Sequence, residues 1–107
     1  MVLPNEMMIR VARLDDEVEI TLGGELDFGN VESLRNVLNE VMGSPKILVD
    51  LEQVVFIDST ALGVIAQGKR AVDEAGGQLH LSGAHPRVRR VIELAGLKEY
   101  FELGDDE

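Results

Sequence analysis

The chain has no cysteine and no tryptophan. Without thiols there is no disulfide frame, no thiolate zinc or iron–sulfur site and no cysteine nucleophile. Only four aromatic side chains occur in 107 residues, Phe28, Phe56, Tyr100 and Phe101, so the core has to be built of Val, Leu, Ile and Ala. Histidine occurs twice, at His80 and His85. Neither has metal-ligand spacing, and His80 alternates with leucines as a solvent-facing strand residue does. Basic residues are scarce as well: 10 Lys and Arg stand against 20 Asp and Glu, a net charge of −10. Nucleic-acid affinity comes largely from cations neutralising phosphates, so such a partner is excluded, and an anionic membrane is disfavoured for the same reason. A basic protein surface is the complementary partner; the plainest use of the charge is solubility. No apolar run approaches the ~20 residues of a membrane span. Residues 1–8 include Pro4, Asn5 and Glu6 and no basic stretch, which does not read as a signal peptide.

What is present fits one small domain over residues 1–107, with its core at about 8–103 and an acidic tail at 104–107. Residues 8–14 read as an edge or half-buried strand, broken by Asp15-Asp16. Val18, Ile20 and Leu22 then alternate with Glu17, Glu19 and Thr21, a strand with one wet face, and the two strands form a hairpin. Gly23-Gly24 interrupts or bends the pairing. Asn30 is placed to cap a helix whose apolar face carries Val31, Leu34, Val37, Leu38, Val41 and Met42. Gly43-Ser44-Pro45 stops it. Residues 46–51 are a near-continuous apolar run, as in a central parallel strand covered on both faces. Residues 54–57 are apolar again. A helix follows from Thr60 to about Ala75, capped by Asp58 or Ser59, with a stripe of Leu62, Ile65, Ala66 and Val72. Gly63 and Gly68 offer close backbone packing on it. Residues 78–82 form a short strand. Pro86 opens a last helix bearing Val88, Val91, Ile92 and Ala95. Leu97, Tyr100, Phe101 and Leu103 form a docked end. The order β β α β α β α predicts an α/β fold, a small mixed sheet of four to five strands with helices packed on it.

Few residues here can carry chemistry. Gly23-Gly24 lacks the Lys and Ser/Thr of a phosphate-binding loop. Ser59 lacks the glycines of a hydrolase elbow, and no nucleophile–base pair supports a small hydrolase. No metal or cofactor is called for. What remains is Phe56-Ile57-Asp58-Ser59-Thr60-Ala61-Leu62-Gly63, where an apolar strand ends and a hydroxyl-rich turn opens a helix. Asp or Ser there caps the free amides of the first turn. An exposed Ser at that place is also a candidate phosphoacceptor, since the helix end presents N–H groups and positive potential to phosphate oxygens. The two roles can coexist. Gly24-Glu25-Leu26-Asp27, followed by Phe28-Gly29-Asn30, is a second strand-to-helix turn.

Gly24-Glu25-Leu26-Asp27, a helix, Val49-Asp50-Leu51, and then the block from Phe56 to Gly63 together resemble the STAS domain. More narrowly, the chain is similar to the bacterial anti-sigma-factor antagonists, stand-alone STAS proteins of about this length. The resemblance implies phosphorylation of Ser59 and a partner surface made by Asp27, Asp58, Ser59, Thr60 and Gly63. It implies a cytoplasmic binding module rather than an enzyme. Dephosphorylated, such a protein binds an anti-sigma factor with serine kinase activity and frees the sigma factor. Phosphorylation ends the complex, and a serine phosphatase reverses it. The family often has Gly where Ala61 stands, and alanine, the better helix former, stiffens that turn. The competing reading is a response-regulator receiver phosphorylated on aspartate. Leu14-Asp15-Asp16-Glu17 mimics its acidic pair and Asp58 its acceptor. A receiver, however, needs a helix after the acidic pair, where Val18, Ile20 and Leu22 alternate as a strand. It also needs a distant Lys beyond the end of this chain.

Overall fold

The computed structural model describes residues 6–104. Residues 1–5, where the signal-peptide reading mostly falls, and 105–107, most of the acidic tail, lie outside it. In chain order the elements are β1 (Met7–Leu14), β2 (Glu17–Leu26), α1 (Val31–Val41), β3 (Lys46–Ile57), α2 (Ser59–Glu74), β4 (Gln78–Ser82) and α3 (Pro86–Leu94). The sheet order is β1-β2-β3-β4. β1 pairs antiparallel with β2 through the Asp15-Asp16 turn, and β2, β3 and β4 run parallel. This is the expected mixed α/β sheet, with four strands.

The alternation seen in the sequence sets the faces. Val18, Ile20 and Leu22 are buried, as are Ile47, Val49 and Leu51 beside them and Leu79 on β4. They share one core with Val31, Leu34, Leu38 and Val41 of α1, with Leu62, Ile65 and Val72 of α2, and with Val88, Ile92 and Phe101. The opposite face carries Glu17, Glu19, Thr21, Leu48, Asp50 and His80, all only half-buried. β3 is therefore central and parallel as expected, but it is not covered on both faces. Its unbroken apolar run reflects β propensity on a half-wet surface more than double burial.

Two irregularities shape the end of the sheet where the site lies. The β2–β3 register shifts between Thr21 and Gly23 and again between Gly24 and Glu25. A Cβ on Gly23 would lie 2.8 Å from the terminal methyl of Met8 and 3.3 Å from the Gln53 Cβ, so a larger residue opposite the bulge would have to displace the Met8 side chain. Past it, β3 buries Leu51, Val54 and Ile57 while Val55 and Phe56 turn outward. At the far end of α2, Gly76 sits at φ +86°, the left-handed stop that glycine supplies.

The helices depart from expectation at a few positions. Met42 and Ala95 lie past the ends of their helices and are exposed. Gly68 is packed closely, 3.0 Å from a Leu38 methyl by its would-be Cβ, whereas Gly63 has nothing within 4 Å, so only one of the two serves close packing. Lys69 is buried within α2. Its ammonium pairs with Asp73 at 3.0 Å and lies 5.2 Å from the centre of the Tyr100 ring. The Tyr100 hydroxyl donates to the Ala66 carbonyl at 3.3 Å. The closing segment of residues 97–103 is thereby docked on α2.

Candidate functional site

Parallel strands place their C-terminal ends, and the loops that follow, on one edge of the sheet. β2 and β3 end side by side, Leu26 opposite Ile57, and the Asp58 amide donates to the Leu26 carbonyl at 3.0 Å. The two turns noted in the sequence are therefore neighbours in space.

Asp58 holds them together. One carboxylate oxygen accepts the Ala61 amide at 2.9 Å and so caps α2. The other accepts the Phe28 amide at 3.0 Å, thirty residues back in the chain. Each oxygen thus satisfies a backbone donor that a helix start or a tight turn leaves without a partner. Of the two possible caps, Asp58 is the one used, which leaves the Ser59 hydroxyl out of the capping. Ser59 is the first residue of α2 and Thr60 the second, and both are exposed. Gly63 lies one turn further along the same helix face, with open space above its Cα.

Asp27 shapes the other turn. Its Oδ1 accepts the Gly29 amide at 2.9 Å, and its carbonyl accepts the Asn30 amide at 3.1 Å. Asn30 occupies the N-cap position of α1, as the sequence suggests, but not as a side-chain cap. Its side chain makes no cap bond to α1; it turns back, accepting the Asp27 amide at 3.0 Å and donating to the Glu25 carbonyl at 2.8 Å. Asn in a turn favours such local side-chain bonds, and that preference was the signal for this role. Phe28, on the crest of the turn, contributes its amide to Asp58 while its ring stands 79% exposed. Nothing in the spacing marked it. The structure thus brings Asp27, Asp58, Ser59 and Thr60 to one edge, with Gly63 beside them.

The arrangement can present a neutral, exposed hydroxyl at a helix N-terminus, beside Asp58 and on the same edge of the sheet as the Asp27 turn. The acidic pair of the receiver reading lies elsewhere. Asp15, at φ 54°, and Asp16 make the β1–β2 hairpin turn, and a strand rather than a helix follows. That reading fails at the first element.

The chain belongs to the STAS domain family, whose model it matches over residues 8–107. Among its relatives is the anti-sigma-B factor antagonist of Staphylococcus aureus strain NCTC 8325, 32% identical over 99 residues that span 91% of this chain and 92% of that one. Among solved structures it resembles the anti-sigma factor antagonist SpoIIAA in its unphosphorylated form, at 26% identity and a TM-score of 0.77, covering 87% of this chain and 84% of that one. The Bacillus cell fate determinant SpoIIAA in the phosphorylated form matches at 26% identity and a TM-score of 0.71, with 87% of each chain covered. Among the described residues, no helix is long and apolar enough to cross a membrane.

Proposed function

We propose that this chain is an anti-sigma-factor antagonist that works as a single-domain binding module in the cytoplasm, not as a catalyst. Dephosphorylated, it binds an anti-sigma factor and releases the sigma factor. The anti-sigma factor's serine kinase activity places a phosphate on Ser59 and ends the complex, and a serine phosphatase restores it. Asp27, Asp58, Ser59, Thr60 and Gly63 make the central contact.

The observation that carries this reading is the division of labour at the turn. Asp58 caps α2 and clamps the 26–30 loop, so the exposed Ser59 hydroxyl is not needed by the fold. One oxygen of Asp27 is committed to Gly29, and the rest of its charge is directed to a cation on the partner. SpoIIAA keeps a fold like that of this chain in both its phosphorylated and unphosphorylated forms, which supports a switch that works at the surface.

The test is phosphorylation by purified anti-sigma-factor kinases from the source bacterium with ATP, followed by mass-spectrometric mapping. Phosphate is expected on Ser59, and none on the Ser59→Ala variant. Modification elsewhere, with Ser59 untouched, overturns the assignment.

A further inference from the structure

Half of the chain's aromatic residues are spent where the fold gains little from them. Phe28 is 79% exposed and Phe56 46% exposed, whereas Phe101 is buried in the core. Phe28 is tied to the structure by its backbone amide, which donates to Asp58, while its ring is largely in water. A polar turn residue would donate the same amide without displaying a ring to water. Phe56 faces outward because the bulge in β3 turns it and Val55 away from the core. Val55 lies on a groove of about 420 Å³ that Val54, His85, Pro86 and Arg87 also line. All of this sits at the Ser59 end of the sheet.

We infer that Phe28 and Phe56 are the apolar anchors by which the anti-sigma factor kinase grips this chain, with the Val55 groove receiving a side chain of the kinase. The inference rests on the function proposed above and extends it from the polar centre to the apolar flank. Its occupant follows from geometry. A specific interface covers roughly 800 Å² on each partner, a footprint reaching roughly 16 Å from its centre. Phe28 is bonded to the residue next to Ser59, and Phe56 is three residues from Ser59 along the chain. A kinase that closes on the Ser59 hydroxyl therefore covers both. Aromatic side chains are enriched among the residues that dominate such interfaces, and they pair with pockets on either partner.

Exposure alone does not mark the anchors. Leu14 is 57% exposed, but it pairs with Glu17 at the start of β2. That is the opposite end of the sheet, on the order of 30 Å from Leu26 at the strand rise of about 3.3 Å per residue. It lies outside the footprint and serves as the control.

The experiment is steady-state kinetics with the purified anti-sigma factor kinase that phosphorylates wild-type Ser59, using the full chain and its Phe28→Ala, Phe56→Ala and Leu14→Ala variants. An anchor held equally before and during phosphoryl transfer raises KM and leaves kcat unreduced when it is removed. Phe28→Ala is expected to raise KM at least fivefold with kcat unreduced, and Leu14→Ala to leave KM within twofold. Phe28 is the deciding variant because its ring supports little of the fold; an unchanged thermal melt checks this. A smaller rise for Phe28→Ala overturns the inference, as does a loss confined to kcat or an equal rise for Leu14→Ala. If wild-type Ser59 takes no phosphate from any such kinase, the functional reading itself fails, and that result is read first.

Discussion

Asp58 and Ser59 are adjacent in sequence and opposite in duty. The Asp58 carboxylate accepts two backbone amides, one at the start of α2 and one in the loop after β2. Loss of a helix cap costs about 0.5–2 kcal/mol, and a hydrogen bond to a charged group is worth about 1.5–3 kcal/mol. Asp58→Ala should therefore lower the unfolding free energy by about 2–3 kcal/mol, measured by urea titration. Ser59→Ala removes no cap and should stay within about 0.5 kcal/mol of wild type. A comparable loss from both variants would return the capping role to the hydroxyl. The contrast explains how one residue of the turn can be given over to modification: its neighbour carries the structural load.

At the scale of single elements, α2 gives the clearest experiment. Its two interior glycines look alike in sequence and stand in different surroundings. Alanine at Gly63 meets nothing within 4 Å, so Gly63→Ala should stabilise the protein by about 0.5–1 kcal/mol through helix propensity. Alanine at Gly68 comes to 3.0 Å from Leu38, and the crowding against α1 should cancel the same gain. Thermal melts of the two variants check this. If Gly63 is kept for the partner, one turn from Ser59 on the exposed face, its alanine variant should also bind the anti-sigma factor more weakly while folding better. The same helix shows what a sequence can disclose. Its apolar stripe, its Asp-Ser start and its Gly-Gly end were legible, because periodicity and capping act within a few residues of chain. So was the order of elements. The roles of Asn30, Gly63 and Phe56 were not, since each depends on a contact across elements. Asn30 bonds back to the β2 end, Gly63 lacks a neighbour that Gly68 has, and Phe56 faces out because of a register shift between β2 and β3. The two turns that carry the proposed site were legible in the sequence, but the clamp joining them spans thirty positions and appears only in three dimensions.

For the molecule as a whole the question is how a phosphate on Ser59, as proposed above, would switch it off. The modification adds about −1.5 to −2 charges to a chain already at −10. The N-terminus of α2 favours the new charge by roughly 0.3–1 kcal/mol, up to about 2 where partly buried. The Asp58 and Asp27 carboxylates oppose it. Taking a separation of roughly 6 Å and an effective dielectric of about 20, each pair of unit charges repels by about 3 kcal/mol, and surface screening reduces this substantially. Within the free protein the two effects oppose each other, and both act at the sheet edge. The core lies beneath the sheet edge, built of aliphatic side chains and Phe101 with no part in the exchange, so the fold should survive phosphorylation with local adjustment only. The partner faces a different balance. On the proposed function, a partner surface fitted to a neutral hydroxyl would meet a bulky dianion that must lose its water without a matching cation. Release should follow from direct steric and electrostatic rejection, with no refolding. Amide NMR spectra with and without phosphate on Ser59 decide the matter. Shifts confined to residues 26–30 and 57–64 are expected. Large shifts across β1, β4 and α3 would instead place the switch in a rearrangement of the whole sheet, and the clamp at Asp58 would then be the element that transmits it.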